Sequence, residues 1–226
     1  MDVLLPYLFL VPAVVVAIPV HEMGHAAAAY LLGDRSVRYF GYFTADPRRF
    51  LDPYGVLAVA VALVGWGRRV PVQPNRINTT GKKVLLELGG PAANLAVAIV
   101  LGLVLRFFPP GNNTGLLFVY DAIYATWFLN VSIFAFQLLP IPGLDGWNIL
   151  EALFQRTNPR FFFNVAIRRR EVWAGVVIVL LGFSFLARIN LLNLVMLPFY
   201  EPASLISFGR CDGYVTVVTV LAPCLP

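Results

Sequence analysis

The sequence predicts an all-α integral membrane protein: a polytopic helix bundle of about five to six transmembrane segments with one short re-entrant or partly inserted segment. Three observations lead there. Of 226 residues, 59% are hydrophobic and only 13% are charged, about half the charged share of a soluble domain, and the mean hydropathy is +0.76. The apolar runs 3–32, 84–108 and 115–139 each reach the roughly 20 residues a spanning helix needs. Of the 17 basic residues, 14 fall in three loops between apolar runs, 33–54, 67–83 and 155–170. The net charge of +5 therefore points to a membrane surface and not to nucleic acid.

The first run, 3–32, follows Met1-Asp2 without the basic start of a signal peptide, so it is expected to stay as a spanning helix. The second, 55–66, is too short to cross and reads as the re-entrant piece. Charge agrees with length. The loops 33–54, 67–83 and 155–170 hold the arginines and lysines, and all three can face the cytoplasm only if 55–66 does not cross. The N-terminus and the turn 109–115 then lie outside, as expected for a multi-pass membrane protein. The run 171–187 is near the lower limit for a span, 189–206 is interrupted by Pro198, Glu201 and Pro202, and 214–225 is a weak apolar tail. The whole chain, 1–226, reads as one membrane-embedded domain. Phe161-Phe162-Phe163 followed by Arg168–Arg170 suits an amphipathic segment resting on the lipid bilayer. Cys211 and Cys224 show no metal-binding spacing.

The chain contains only two histidines, and they stand four residues apart inside the first apolar run: His21-Glu22-Met23-Gly24-His25. On a helix, positions i and i+4 share a face, so both imidazoles can reach one metal ion while Glu22 reaches a water beside it. Ionisable groups at membrane depth are rare and usually functional. The bland alternative, two histidines bonded to neighbouring helices and a neutralised Glu22, must explain three costly polar groups at ligand spacing.

A catalytic zinc site takes three protein ligands and keeps one open position. After the run 115–139 comes Gln137-Leu138-Leu139-Pro140-Ile141-Pro142-Gly143-Leu144-Asp145-Gly146, where two prolines end the helix and impose extended backbone. Asp145 could cap a helix starting near Trp147, but beside a histidine pair that lacks a third donor the ligand reading leads. Glu87 and Asp121 lie near helix ends, where structural roles suffice.

With these motifs in hand, the chain resembles the site-2 protease family of intramembrane zinc metalloproteases, small prokaryotic branch. The resemblance rests on His21-Glu22-x-x-His25 and on Gln137-x-x-Pro140-x-Pro142-x-Leu144-Asp145-Gly146. It rests also on Asp52-Pro53-Tyr54-Gly55, on Gly65-Trp66-Gly67-Arg68-Arg69-Val70-Pro71-Val72-Gln73-Pro74, and on Gly89-Gly90-Pro91-Ala92-Ala93-Asn94-Leu95. It covers about residues 15–155 and does not extend to 171–226. The resemblance implies one Zn2+ per chain held by His21, His25 and Asp145, with Glu22 as general base. It implies a transmembrane protein substrate, cut after local unwinding on the cytoplasmic side. Gln137 stands where the family has Asn, a residue associated with substrate or oxyanion. Gln137, Asn94, Pro140 and Pro142 are the candidate substrate contacts, Asn94 also being suited to an interhelical hydrogen bond. The competing class is a non-catalytic metal binder or metal-ion transporter. Against a transporter stand the single level of the polar groups and the lack of an internal repeat.

Overall fold

The computed structural model describes residues 5–44, 46–109, 114–169, 171–173, 175–176, 178–179 and 191–208. Its elements are α1 (Leu5–Leu31), α2 (Ser36–Tyr39), α3 (Pro53–Ala62), α4 (Thr80–Phe107), α5 (Thr114–Gln137), α6 (Asp145–Phe154), α7 (Pro159–Ile167) and α8 (Leu191–Phe208). Among the described residues there are isolated backbone bridges but no strands. Three helices are long and apolar enough to cross a membrane, over Leu8–Leu31, Thr80–Phe107 and Thr114–Gln137. Most of the expected span 171–187, and all of the tail 214–225 with both cysteines, lie outside the described residues.

α1, α4 and α5 pack pairwise into a three-helix core, with α6 against α4 and α8 against α4 and α5. Ala13, Ala17, Ala26 and Ala29 of α1 have no exposure, the first two packed with Val59, Leu129 and Ile133 and the last two with Val37, Ile77 and Leu86. The outward faces remain apolar, with Val11, Val100, Phe107 and Leu116 each more than half exposed. In water such a surface would be a liability; in lipid it costs nothing. α8 continues through Pro198 and Pro202, where the sequence predicted an interruption. Apolar helices tolerate proline when packed neighbours re-satisfy the freed backbone groups.

A close helix crossing joins α1 to α4. A methyl group on Gly24 would collide with the Gly89 carbonyl and come within 2.7 Å of Ala93 Cβ. One on Gly89 would lie 2.7 Å from the Gly24 carbonyl oxygen. Two facing glycines thus let the backbones touch, in the manner of small-residue contacts between membrane helices.

α3 begins where its sequence says it should. Asp52 caps it, accepting from Tyr54 and Gly55 N–H at 3.0 Å, and Pro53 takes the first turn. After ten residues the chain reverses through Leu63, at φ 57°, and runs back along the helix. A Cβ on Gly55 would strike the Trp66 carbonyl, and one on Gly65 would sit 2.7 Å from the Gly55 carbonyl oxygen. Leu51 then bridges Gly67 in antiparallel sense, with Arg68 N–H donating to Phe50 C=O at 2.7 Å. The excursion therefore ends beside its own start, whereas a full crossing would part the two by about 30 Å.

α1 ends in a Schellman motif: Gly33, at φ 106°, donates to Tyr30 C=O and Asp34 N–H donates to Ala29 C=O at 2.9 Å. The buried Asp34 carboxylate accepts from Ser36 Oγ and Gln73 N–H, both at 2.6 Å, and from Ser36 N–H at 3.1 Å. Burial alone would raise its pKa. The hydrogen bonds from Gln73 and Ser36, with the charge of Arg76, outweigh that and hold it below the usual carboxylate range.

Two outcomes are expected. Gly24→Ala should destabilise by about 1–3 kcal/mol through overpacking. Gly81→Ala, whose Cβ would meet nothing, should be neutral or stabilising, and thermal unfolding in one detergent compares them. Because the folded Asp34 pKa is lowered, its stabilisation is complete above the unfolded value of about 3.9 and disappears as pH falls through the folded one. The stability gap between wild type and Asp34→Ala should accordingly be constant from pH 7 to 5 and shrink on further acidification.

Candidate active site

His21, Glu22 and His25 lie on one turn of α1, and the Gly24–Gly89 crossing presses that turn against α4. The His25 ring donates from Nδ1 to the Leu86 carbonyl at 2.8 Å. His21 Nδ1 meets Asn94 Oδ1 at 2.7 Å. The orientation of Asn94 is set from behind: its Nδ2 donates to Ala17 C=O at 2.9 Å and to Asn130 Oδ1 at 2.8 Å. Asn130 in turn donates from Nδ2 to Thr126 C=O at 2.7 Å. Two backbone carbonyls, which can only accept, therefore impose the direction of the whole relay. Both rings keep their hydrogen on Nδ1 and turn a bare Nε2 lone pair forward.

Asp145 comes from the far side of the fold. The segment after α5 is turned, where the sequence predicted extended backbone. Leu139 N–H donates to Phe136 C=O and Ile141 N–H to Leu139 C=O. Pro142-Gly143 then makes a type II turn, with Gly143 at φ 103° and Leu144 N–H donating to Ile141 C=O at 3.0 Å. Gly146 finishes the reversal, since a Cβ there would lie 2.6 Å from the Leu139 carbonyl oxygen. α6 starts at Asp145 with no side-chain cap. The carboxylate is free of the capping role and points at the histidines.

His21 Nε2, His25 Nε2 and Asp145 Oδ2 stand 3.1 Å from one another along all three edges. With neutral rings no hydrogen lies on any edge, and a proton added to His25 alone leaves the His21–Asp145 edge bare. Three converging acceptors attract a cation. A tetrahedral zinc ion with bonds of about 2.0–2.1 Å spaces its ligands about 3.3 Å apart, so the donor set fits this metal. Gly90 keeps the space clear: a Cβ there would collide with His25 Nε2 and lie 2.8 Å from His21 Nε2.

Glu22, 3% exposed, has no hydrogen-bond partner at Oε2. Gly67, on the return limb after α3, packs against its carboxylate, and a Cβ there would come within 2.6 Å of Glu22 Cγ. His21, Glu22, His25, Asp145, Gln137 and Arg69 all line one cavity of about 350 Å³, together with Trp66, Gly67, Gly143, Leu144, Arg169 and Trp173.

The remaining sequence candidates separate. Gln137 lines the cavity, but its Nε2 donates to Gly65 C=O at 3.2 Å and ties α5 to the return limb. Asn94 is fully buried behind His21 and does not reach the cavity. Pro140 is exposed and Pro142 buried, and neither is among the cavity's lining residues; Gly143 and Leu144 line it instead. Sequence reasoning treated Glu87 as structural, and it accepts from Asn148 at 2.8 Å, joining α4 to α6 behind Asp145. It missed Asn130, whose signal was a second amide inside an apolar run, and Gly90, whose signal was a costly glycine pair in a helix. Arg69 was missed as well; its Nη2 donates to Gly143 C=O at 3.1 Å and stands 3.9 Å from Asp145 Oδ1.

Long apolar helices, two histidines and an aspartate converging, and a glutamate alongside with no partner at Oε2 make up, among the described residues, the donor set of a zinc hydrolase. Comparison with known proteins narrows the class. The chain is 34% identical over 156 residues to "Putative zinc metalloprotease YwhC" of Bacillus subtilis, covering 66% of this chain and 70% of that protein. It is 33% identical over 168 residues to "Putative zinc metalloprotease Rip2" of Mycolicibacterium smegmatis, covering 71% of this chain and 61% of that protein. To the Rip2 of Mycobacterium tuberculosis H37Rv it is 35% identical over 151 residues, 60% of this chain and 53% of that protein. The matches thus span from about half to 70% of these relatives' length. No protein-family model and no solved structure matches the chain. The chain belongs to this family of zinc metalloproteases: it is an enzyme, and zinc is its metal.

Asn94→Ala removes the acceptor that sets the His21 tautomer without touching a ligand atom. Zinc affinity, read by competition with a chromogenic chelator, should fall about 10–100-fold.

Proposed function

We propose that the protein is an intramembrane endopeptidase of the site-2 protease type, cutting transmembrane substrate helices near the cytoplasmic side of the bilayer. The observation that carries the reading is the triangle of His21 Nε2, His25 Nε2 and Asp145 Oδ2, each 3.1 Å from the others, beside a Glu22 whose Oε2 has no partner. Its position within α1 supports the membrane setting. His25 lies six residues and His21 ten residues before Leu31, about 9 and 15 Å from the helix end at 1.5 Å per residue. That end leads into the arginine-bearing loop, the side expected to face the cytoplasm.

His21, His25 and Asp145 would hold the ion. When bound, zinc polarises a carbonyl and lowers the pKa of a coordinated water toward 7. Glu22 Oε2, which has no other partner, takes the proton of the attacking water and returns it to the leaving amide nitrogen. The Asn130–Asn94 relay keeps His21 in one tautomer, so its Nε2 lone pair would be available to a bound metal. Gly67 and the return limb close over Glu22 and exclude bulk water, which strengthens each electrostatic contact inside. Gln137 spends one amide N–H on Gly65 and retains a second N–H for a substrate carbonyl. A helical carbonyl is already hydrogen-bonded within its own chain, so a substrate has to unwind locally before it fits. The 350 Å³ cavity admits a short extended segment and excludes an intact helix, whose diameter is about 10 Å.

The purified protein should contain about one zinc per chain. Asp145→Ala should lose most of it, while Glu22→Gln should retain the metal and lose cleavage of a reconstituted transmembrane substrate by at least about a hundredfold. Metal analysis and gel-based turnover read the two separately. Full zinc binding without Asp145 would break the proposed centre, and turnover surviving in Glu22→Gln would remove Glu22 from the chemistry.

A further inference from the structure

The mouth of the cavity carries a second cluster of groups that zinc chemistry does not use. Three hydrogen-bond donors from distant stretches of chain meet at Gly143. Arg69 Nη2 donates to its carbonyl at 3.1 Å. A Cβ on Gly143 would collide with the Arg169 guanidinium and lie 3.3 Å from Trp173 Nε1. Arg69, Arg169 and Trp173 line the same cavity as the histidines and Glu22, and Trp66 and Trp173 stand with ring centroids 6.5 Å apart on its wall.

Among the described residues, Arg169 has no carboxylate within ion-pairing distance and Trp173 Nε1 has no hydrogen-bond acceptor. Arg169 is exposed, and a long cationic side chain on a membrane protein ordinarily extends toward water. Here its head lies over a glycine at the cavity rim. The other charges do not cancel it. Glu22 and Asp145 together balance a divalent ion, and Glu87 is engaged by Asn148 outside the cavity lining. Arg69 is shared with Asp145 at 3.9 Å, so one unpaired guanidinium charge, that of Arg169, and an indole N–H are left facing a partly enclosed space.

We propose that Arg169 and Trp173, reinforced by Arg69, form a carboxylate-recognising subsite that selects substrate segments with an Asp or Glu side chain next to the scissile bond. A guanidinium fork matches a carboxylate in two parallel hydrogen bonds, and an indole N–H can only donate. The position follows from Arg69, which reaches both the Gly143 carbonyl and the neighbourhood of Asp145 Oδ1. The subsite therefore adjoins the metal-binding atoms and contacts a residue within one or two positions of the bond that is cut. Gly143 is required twice, for its positive φ and for the space its missing side chain leaves to the donors. The inference rests on the endopeptidase reading above.

The test uses zinc-loaded Glu22→Gln protein in phosphatidylcholine vesicles. The ligands are two dansylated, C-terminally amidated peptides, each an apolar spanning helix with a Gly-Pro break at its cytoplasmic end, followed by either Glu or Gln. Energy transfer from the protein's tryptophans reads binding. The Glu peptide should bind about tenfold more tightly than the Gln peptide, the scale of one charge-assisted pair. Adding Arg169→Gln should abolish the difference, Arg169→Glu should favour a Lys peptide, and Trp173→Phe, which keeps the ring and removes the N–H, should reduce it. Zinc content and thermal unfolding establish that each variant is folded. Equal affinity for both peptides overturns the subsite, as does a Glu preference that survives Arg169→Gln. A preference lost when phosphatidylglycerol replaces phosphatidylcholine, in salt high enough to screen the anionic surface, overturns it in favour of an anionic lipid headgroup. Cleavage by the Glu22 enzyme without discrimination sinks the subsite alone. Discrimination in binding without cleavage overturns the protease reading, and with it the position beside a scissile bond, while the carboxylate-binding site itself stands. Failure of both peptides to bind ends both.

Discussion

Three lone pairs held 3.1 Å apart, on His21, His25 and Asp145, form an arrangement that repels itself until a cation arrives. The rest of the architecture answers to that constraint. Each histidine is locked from behind by an oxygen that accepts its other ring hydrogen, and Asp145 is carried in by a chain reversal that cannot relax without losing the Pro142-Gly143 turn. Such preorganisation moves the cost of gathering the acceptors from metal binding to folding, where apolar packing offsets it. It also explains why the amides of Asn94 and Asn130 are buried between α1, α4 and α5. In an apolar interior an unpaired amide is costly, but a relay anchored at both ends on backbone carbonyls satisfies every member and transmits a single direction to the imidazole.

The second constraint is closeness of backbone. A zinc centre shared by α1 and the start of α6, and walled by α4, needs helices nearer than large side chains allow. Gly24 and Gly89 remove side chains at the α1–α4 crossing, Gly90 clears the volume in front of the ligand atoms, and Gly67 lets the return limb lie on Glu22. None of these positions needs an unusual backbone angle. What they need is absence of bulk, in a setting where van der Waals contact supplies much of the helix association. The irregular segments follow the same logic. The α3 excursion and the turns at 138–144 bring non-helical backbone beside the centre, which is tolerable at membrane depth only where protein or a cavity surrounds it.

The rim and the centre together suggest a division of labour. The centre is built from buried groups whose charges compensate one another once metal is bound. The rim is built from exposed cations attached to segments outside the core helices, Arg69 on the return limb and Arg169 after α7. Chemistry is thus assigned to the rigid part of the fold and recognition to its edge, where substitutions alter selectivity with little effect on packing.

How much of this was legible in sequence depends on how local each feature is. Helix spacing is local, so two histidines four apart with a glutamate between them already specified a shared face and a metal. Length and charge alone marked 55–66 as a segment that does not cross, because both are properties of a short stretch of chain. Asp145 was readable only because two prolines broke the preceding helix. The same prolines misled on conformation: they imply extended backbone, yet the segment folds into consecutive turns because Gly143 and Gly146 allow close reversal. Asn94 could be placed on a helix face but not opposite His21, and Gln137 could not be matched with Gly65. Composition and periodicity determined that the protein is helical, apolar and metal-binding. Which side chains complete the centre, which merely support it and which stand at its mouth was decided by helix crossings and chain reversals. Those are contacts between residues tens of positions apart, and their energies are set by the tertiary fit of both partners, so no single stretch of sequence contains them.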